Sequence, residues 1–104
     1  MNLQQQNEHF GRFTAKQKET LLRKGNDYAD ADRLSNFKRA GCIINISPEQ
    51  NCLSLIATKV SRFGLWLSSG LEPGNESIRD SILDLANYAI LLDALLEEKE
   101  RGGE

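Results

Sequence analysis

The 104 residues include two prolines, two cysteines, one histidine and one tryptophan, and no long apolar run. Each scarcity excludes something. Without about 20 successive apolar residues, no helix spans a bilayer. Cys42 and Cys52 lack the CxxC spacing of a metal or redox pair. The stretch Met1–Gln6 has neither the basic start nor the apolar core of a secretory signal. Both thiols therefore read as free, and the chain as cytoplasmic. Thirteen Lys+Arg against 15 Asp+Glu leave a formal net charge of -2. That balance lacks the cation surplus that drives non-specific nucleic-acid binding, although a local basic site is compatible with it. His9 stands alone in a polar stretch and reads as a surface residue. No Gly-rich phosphate loop, His-Glu-x-x-His or nucleophile elbow occurs. Asp27, Asp30 and Asp32 do not follow a calcium-loop pattern.

With 39% hydrophobic and 27% charged residues, the composition is that of one globular domain. Thr14 and Gln17 have capping-box spacing and predict a helix over 14–25, stopped at Gly25-Asn26. Residues 1–13 either prolong that helix backwards or form a separate arm. Residues 26–46 have no clean period and predict a long functional loop. Within it, 32–40 is a candidate short helix and 42–46 an extended or buried connection. Ser47-Pro48-Glu49-Gln50 is a helix start, with Ser as cap, Pro in the first turn and Gln closing the box. That helix runs over 47–69, with Cys52, Leu53, Ile56, Val60, Phe63 and Leu67 on one face. Gly70 ends it, and Asn75 is the expected cap of a last helix over 75–100. The fold class is all-α: a small bundle of three main helices and one elaborate loop. So thin a core favours completion by oligomerisation.

On the last helix, Ile78, Ile82, Leu85, Ala89, Leu92 and Leu96 share a face and predict the core stripe. Glu76, Asp80, Asp84 and Asn87 form a second line, continued by Leu91 and flanked by Tyr88 and Leu95. A helix apolar nearly all round is largely buried, so these carboxylates would line a pocket or an inter-subunit groove rather than open solvent. Like charges at i and i+4 repel, and the stack needs compensation. Mg²⁺ is one candidate; Lys59 and Arg62 on the preceding helix are the other. A purely structural network would pair Lys59 with Asp80 and Arg62 with Asp84.

The segment from Lys24 to Phe37 is rich in groups that recognise small polar ligands. Lys24 and Arg33 suit phosphate oxygens, Asp27 and Asn36 a base edge or ribose, and Tyr28 or Phe37 a stacked base. The same residues also suit turn caps, solvated charges and core aromatics.

Lys24-x-x-Asp27-Tyr28, Asn36-Phe37, Lys59 and Arg62, then Glu76-Ser77-Ile78-x-Asp80-x-x-x-Asp84-Leu85-Ala86-Asn87-Tyr88-Ala89 resemble the phage and bacterial nucleotide-modification-associated domain group. That group is in turn similar to the MazG-like all-α nucleoside triphosphate pyrophosphohydrolases. The resemblance covers about residues 14–95. It implies a helical homo-oligomer that binds a nucleotide through Lys24, Asp27, Tyr28, Asn36, Lys59, Arg62, Asn87 and Tyr88, with Arg33 a further candidate on its residue type alone. It also implies Mg²⁺ on Glu76, Asp80 and Asp84, activating a water that cleaves the α–β phosphate bond. This chain departs from the family pattern on the middle helix. There the enzymes place Glu-x-x-Glu, and Lys59 and Arg62 stand at that separation here. The substitution sets a non-catalytic nucleotide-binding protein, and a structural or regulatory oligomer, beside the hydrolase.

Overall fold

The computed structural model describes residues 1–28, 32–71, 74 and 77–102; the side chains of 25–28 lie outside that description. Its described residues form four helices and no strand: α1 Leu3–Tyr28, α2 Ser35–Ile43, α3 Pro48–Ser69 and α4 Ile78–Glu100. The chain is all-α, as the sequence predicts.

Residues 1–13 prolong the first helix. Asn2 Oδ1 accepts from the Gln5 N–H at 2.9 Å, and Gln5 Oε1 accepts from the Asn2 N–H at 2.8 Å. This is a reciprocal capping box twelve residues upstream of the expected one. The Thr14 hydroxyl instead donates back to the Phe10 carbonyl at 2.8 Å, the bond such a residue makes inside a helix. Asn2-x-x-Gln5 and Thr14-x-x-Gln17 are equivalent signals in sequence, and the upstream pair caps. Nor does α1 stop at Gly25-Asn26; it runs on to Tyr28.

The predicted loop contains α2, a few residues later than expected. The Asp32 carboxylate accepts from the Leu34 N–H at 3.0 Å ahead of its first turn. The end of α2 has the Schellman pattern. Ile46 N–H reaches back to Gly41 O at 2.9 Å and Asn45 N–H to Cys42 O, with Asn45 left-handed at φ 61. Residues 42–46 are therefore neither extended nor buried: Ile43 and Ile44 are exposed. This fold-back leaves no room at Gly41, where a Cβ would lie 2.8 Å from the Ile46 carbonyl oxygen. Gly41→Ala is expected to cost about 1–3 kcal/mol, measured as a lower urea midpoint at unchanged m-value.

α3 starts and stops as expected. Ser47 and Gln50 form the capping box, and Gly70 closes the helix at φ 75, donating to Trp66 O at 2.7 Å. α4 is capped by Ser77, whose hydroxyl accepts from the Asp80 N–H at 3.1 Å; Asn75, the expected cap, lies outside the described residues.

α3 and α4 pack as an antiparallel hairpin, with α2 against α3 and α1 against α4. Leu34, Phe37, Cys52 and Leu95 form the buried centre, with Leu55, Ile56, Tyr88, Leu91 and Leu92 around it. The predicted core stripes hold in part: Cys52 and Ile56 on α3 and Ile78 and Leu92 on α4 are buried or pack on the core, but the centre of each inward face lies about one residue, or 100° of helix rotation, from the predicted line. On α4 the inward line is Ser81, Asp84, Tyr88, Leu91 and Leu95, while Ile82, Ala89 and Leu96 are exposed. On α3 the inward line is Cys52, Leu55, Lys59 and Trp66, and Leu53, Val60 and Leu67 are exposed. Both helices are apolar through most of their circumference, so hydrophobicity alone selects no face.

Candidate functional site

Four inward positions of α4 set up the site. Asp84, Asn87, Tyr88 and Leu91 follow i, i+3, i+4, i+7 spacing and therefore project together. α1 contributes Leu21 and Lys24, the start of α2 contributes Arg33, Asn36 and Phe37, and α3 contributes Leu55. These residues line a partly open cavity of about 340 Å³, at the small end of ligand-binding pockets.

The Asp84 carboxylate anchors one end. Oδ1 accepts from Lys24 Nζ at 2.8 Å and Oδ2 from Lys59 Nζ at 3.2 Å. Asp84 and Lys59 are largely buried, whereas Lys24 is 44% exposed and sits at the rim. Burial by itself would raise the Asp84 carboxyl. The hydrogen bonds and charges of the two lysines outweigh it and hold the group below the usual carboxylate range. Burial, with the Asp84 charge adding to it, pushes the neighbouring Tyr88 phenol up. The aspartate is thus ionised and the phenol neutral at pH 7.

Asn87 is the anomaly. Only 5% exposed, it has neither Oδ1 nor Nδ2 bonded to any partner among the described residues. A buried amide left this way costs about 1–3 kcal/mol per unsatisfied group. Native interiors rarely hold one without a functional reason or a guest molecule.

Of the residues predicted from sequence, Lys24, Arg33, Asn36, Asp84, Asn87 and Tyr88 line this one cavity, and Lys59 joins through Asp84. Asp80 is not among them. It is exposed in a separate groove with His9, Arg12, Lys16 and Arg79. Arg62 is half-buried one turn beyond Lys59 and does not line the cavity. Glu76 and the side chains of Asp27 and Tyr28 lie outside the described residues. Lys59 pairs with Asp84, not Asp80, because the inward rotation of α4 carries Asp84 toward α3 and leaves Asp80 outside. The apolar walls Leu21 and Leu55 were not legible as site residues; their only sequence signal is helical phase with Lys24 and Lys59.

The acids described here do not fit an Mg²⁺ cage. Each Asp84 oxygen already holds an ammonium group, and Asp80 does not converge with it. No group of three His, Cys, Asp or Glu side chains among the described residues could bind a metal ion. What the cavity offers instead is a donor–acceptor amide at its floor, aromatic walls and a cation at its mouth. No helix of the described residues is long and apolar enough to cross a membrane. Among family models, curated proteins and solved structures, none matches the chain.

Proposed function

We propose that the chain is a MazG-like helical protein that binds a nucleotide in the Asp84–Asn87 cavity and holds it without cleaving it. The buried Asn87 amide, unpartnered among the described residues, carries this reading. A carboxamide presents one acceptor beside one donor, which complements the edge of an adenine base. Phe37 and Tyr88 supply aromatic surface for the flat face of that base. Lys24 supplies the phosphate contact. It can leave Asp84 for a phosphate oxygen at the rim while Lys59 keeps the carboxylate paired, so the exchange strands no buried charge. Saturation of Asp84 by lysines favours binding over Mg²⁺-dependent hydrolysis.

The test is isothermal titration with adenine and guanine mono-, di- and triphosphates, with and without Mg²⁺, followed by chromatography of the nucleotides after hours. Adenine nucleotides are expected to bind and to be recovered intact. Asn87→Leu keeps the shape and removes the amide. It is expected to raise stability by about 1–2 kcal/mol and to weaken binding about tenfold. A well-folded protein that binds no member of the panel overturns the reading; Mg²⁺-dependent release of pyrophosphate replaces it with the hydrolase.

A further inference from the structure

A second groove opens between the N-terminal half of α1 and the first two turns of α4, with a volume of about 540 Å³. It shares no lining residue with the Asn87 cavity. His9, Arg12, Phe13 and Lys16 follow i, i+3, i+4, i+7 spacing, so one face of α1 projects all four into it. Arg79 reaches the same space from α4. Arg12, Lys16 and Arg79 make no ion pair with any described residue, whereas Lys24, Lys38, Lys59 and Arg101 are each held by a carboxylate. Asp80 is the one carboxylate among the described lining residues. Three cations thus gather around one acid in a chain whose formal net charge is -2. Beneath them the surface is apolar. Leu83 is buried, Phe13 is half-buried, and the His9 and Phe13 rings stack with centroids 6.2 Å apart. At the α4 end the Ser77 hydroxyl accepts from the Asp80 N–H at 3.1 Å, and its own hydrogen has no acceptor among the described residues.

We propose that this groove binds a small aromatic phosphate monoester, its phosphate held among Arg12, Lys16 and Arg79 and its ring lying on Phe13, Ile82 and Leu83. Charge selects the head group. A phosphate monoester carries close to two negative charges at pH 7 and three terminal oxygens. That suits two guanidinium forks, an ammonium and a hydroxyl arriving from two helices. A carboxylate has one charge and two oxygens, and would leave most of those donors unused. The floor selects the rest of the molecule. Inorganic phosphate leaves Phe13, Ile82 and Leu83 in water, whereas a ring covers them and removes apolar surface from solvent. The volume is that of a small-molecule site, which spans about 300–1,000 Å³. The near-balanced charge of the whole chain disfavours an extended polyanion in its place. Asp80 faces the same space and opposes the anion, so affinity falls below what the cations alone would give. Because the two sites share no lining residue, the inference stands whatever the Asn87 cavity binds.

The test is backbone-amide NMR of the full-length chain titrated separately with phenyl phosphate, inorganic phosphate and benzoate. Phenyl phosphate is expected to shift the amides of residues 9–16 and 77–83, and to bind about tenfold more tightly than either fragment. Arg12→Gln combined with Arg79→Gln is expected to weaken it about tenfold. Asp80→Asn is expected to tighten it about threefold, because the groove then loses the carboxylate that opposes the anion. All three side chains are exposed, so circular dichroism is expected to match wild type. Should the double variant fail to fold, Lys16→Gln alone is expected to weaken binding about threefold. Shifts confined to the Asn87 cavity overturn the proposal, as does the absence of any shift at about 10 mM phenyl phosphate. So does inorganic phosphate or benzoate binding as tightly as phenyl phosphate.

Discussion

Asp84→Ala is expected to lower folding free energy by about 3–5 kcal/mol, because removing one partner of a buried pair takes away the charge that offsets the other's desolvation. Lys59 is the group most affected. It is as buried as the carboxylate and sits on the middle helix, where retreat to solvent means breaking the α3–α4 contact. Lys24 suffers less, since its ammonium is already at the rim. At about 4 °C or more per kcal/mol for a domain this size, the melting temperature drops by more than about 10 °C, read by circular dichroism. A second substitution separates charge from packing. Asp84→Ala with Lys59→Met is expected to recover most of the loss, since replacing a buried pair by apolar groups is often neutral. The pH dependence follows in sign. The folded carboxyl lies below its ordinary value of 3.8. Its contribution is therefore complete above the unfolded pKa and disappears as pH falls through the lower folded one. Wild-type protein thus loses stability in acid over that window, and Asp84→Asn shows a shallower loss. A variant as stable as wild type at pH 7 would show that Lys59 finds water without unfolding.

Phe37→Ala is expected to cost about 3–5 kcal/mol, the range for removing a buried aromatic ring. Phe37 is 6% exposed and shares the centre of the fold with Leu34, Cys52 and Leu95. It also walls the cavity, so the deletion extends an existing void that few side chains are placed to refill. In so small a core that loss is a large part of the total, since domains of this size hold about 5–15 kcal/mol. Phe37→Leu retains most of the volume and is expected to cost about 1 kcal/mol, with nucleotide affinity reduced by the loss of the aromatic face. Urea unfolding of both variants at matched concentration measures the difference. Equal midpoints would mean that the ring lies against the cavity without being packed by it.

Much of this architecture was legible in the chain. Ser47-Pro48-Glu49-Gln50 and Gly70 act through bonds to backbone atoms within a few residues, and such bonds do not depend on the rest of the fold. The all-α class, the two long C-terminal helices and the absence of an apolar span follow from the same local chemistry. Lys24, Arg33, Asn36, Asn87 and Tyr88 were recognisable as ligand-type residues, and they do converge. The phase of α3 and α4 was not legible. Val60 and Lys59, or Leu85 and Asp84, are adjacent residues on helices apolar almost all round, and either could face inward. Tertiary packing settled it by pairing Asp84 with Lys24 and Lys59, which fixed the rotation of α4 and separated Asp80 from the site. The scarcity of prolines, cysteines and long apolar runs determined what kind of molecule this is, because each acts through backbone geometry, thiol spacing or bilayer thickness alone. Which carboxylate is buried, and that Asn87 is buried with no partner among the described residues, required side chains from three separate helices to meet, and only the fold could decide that.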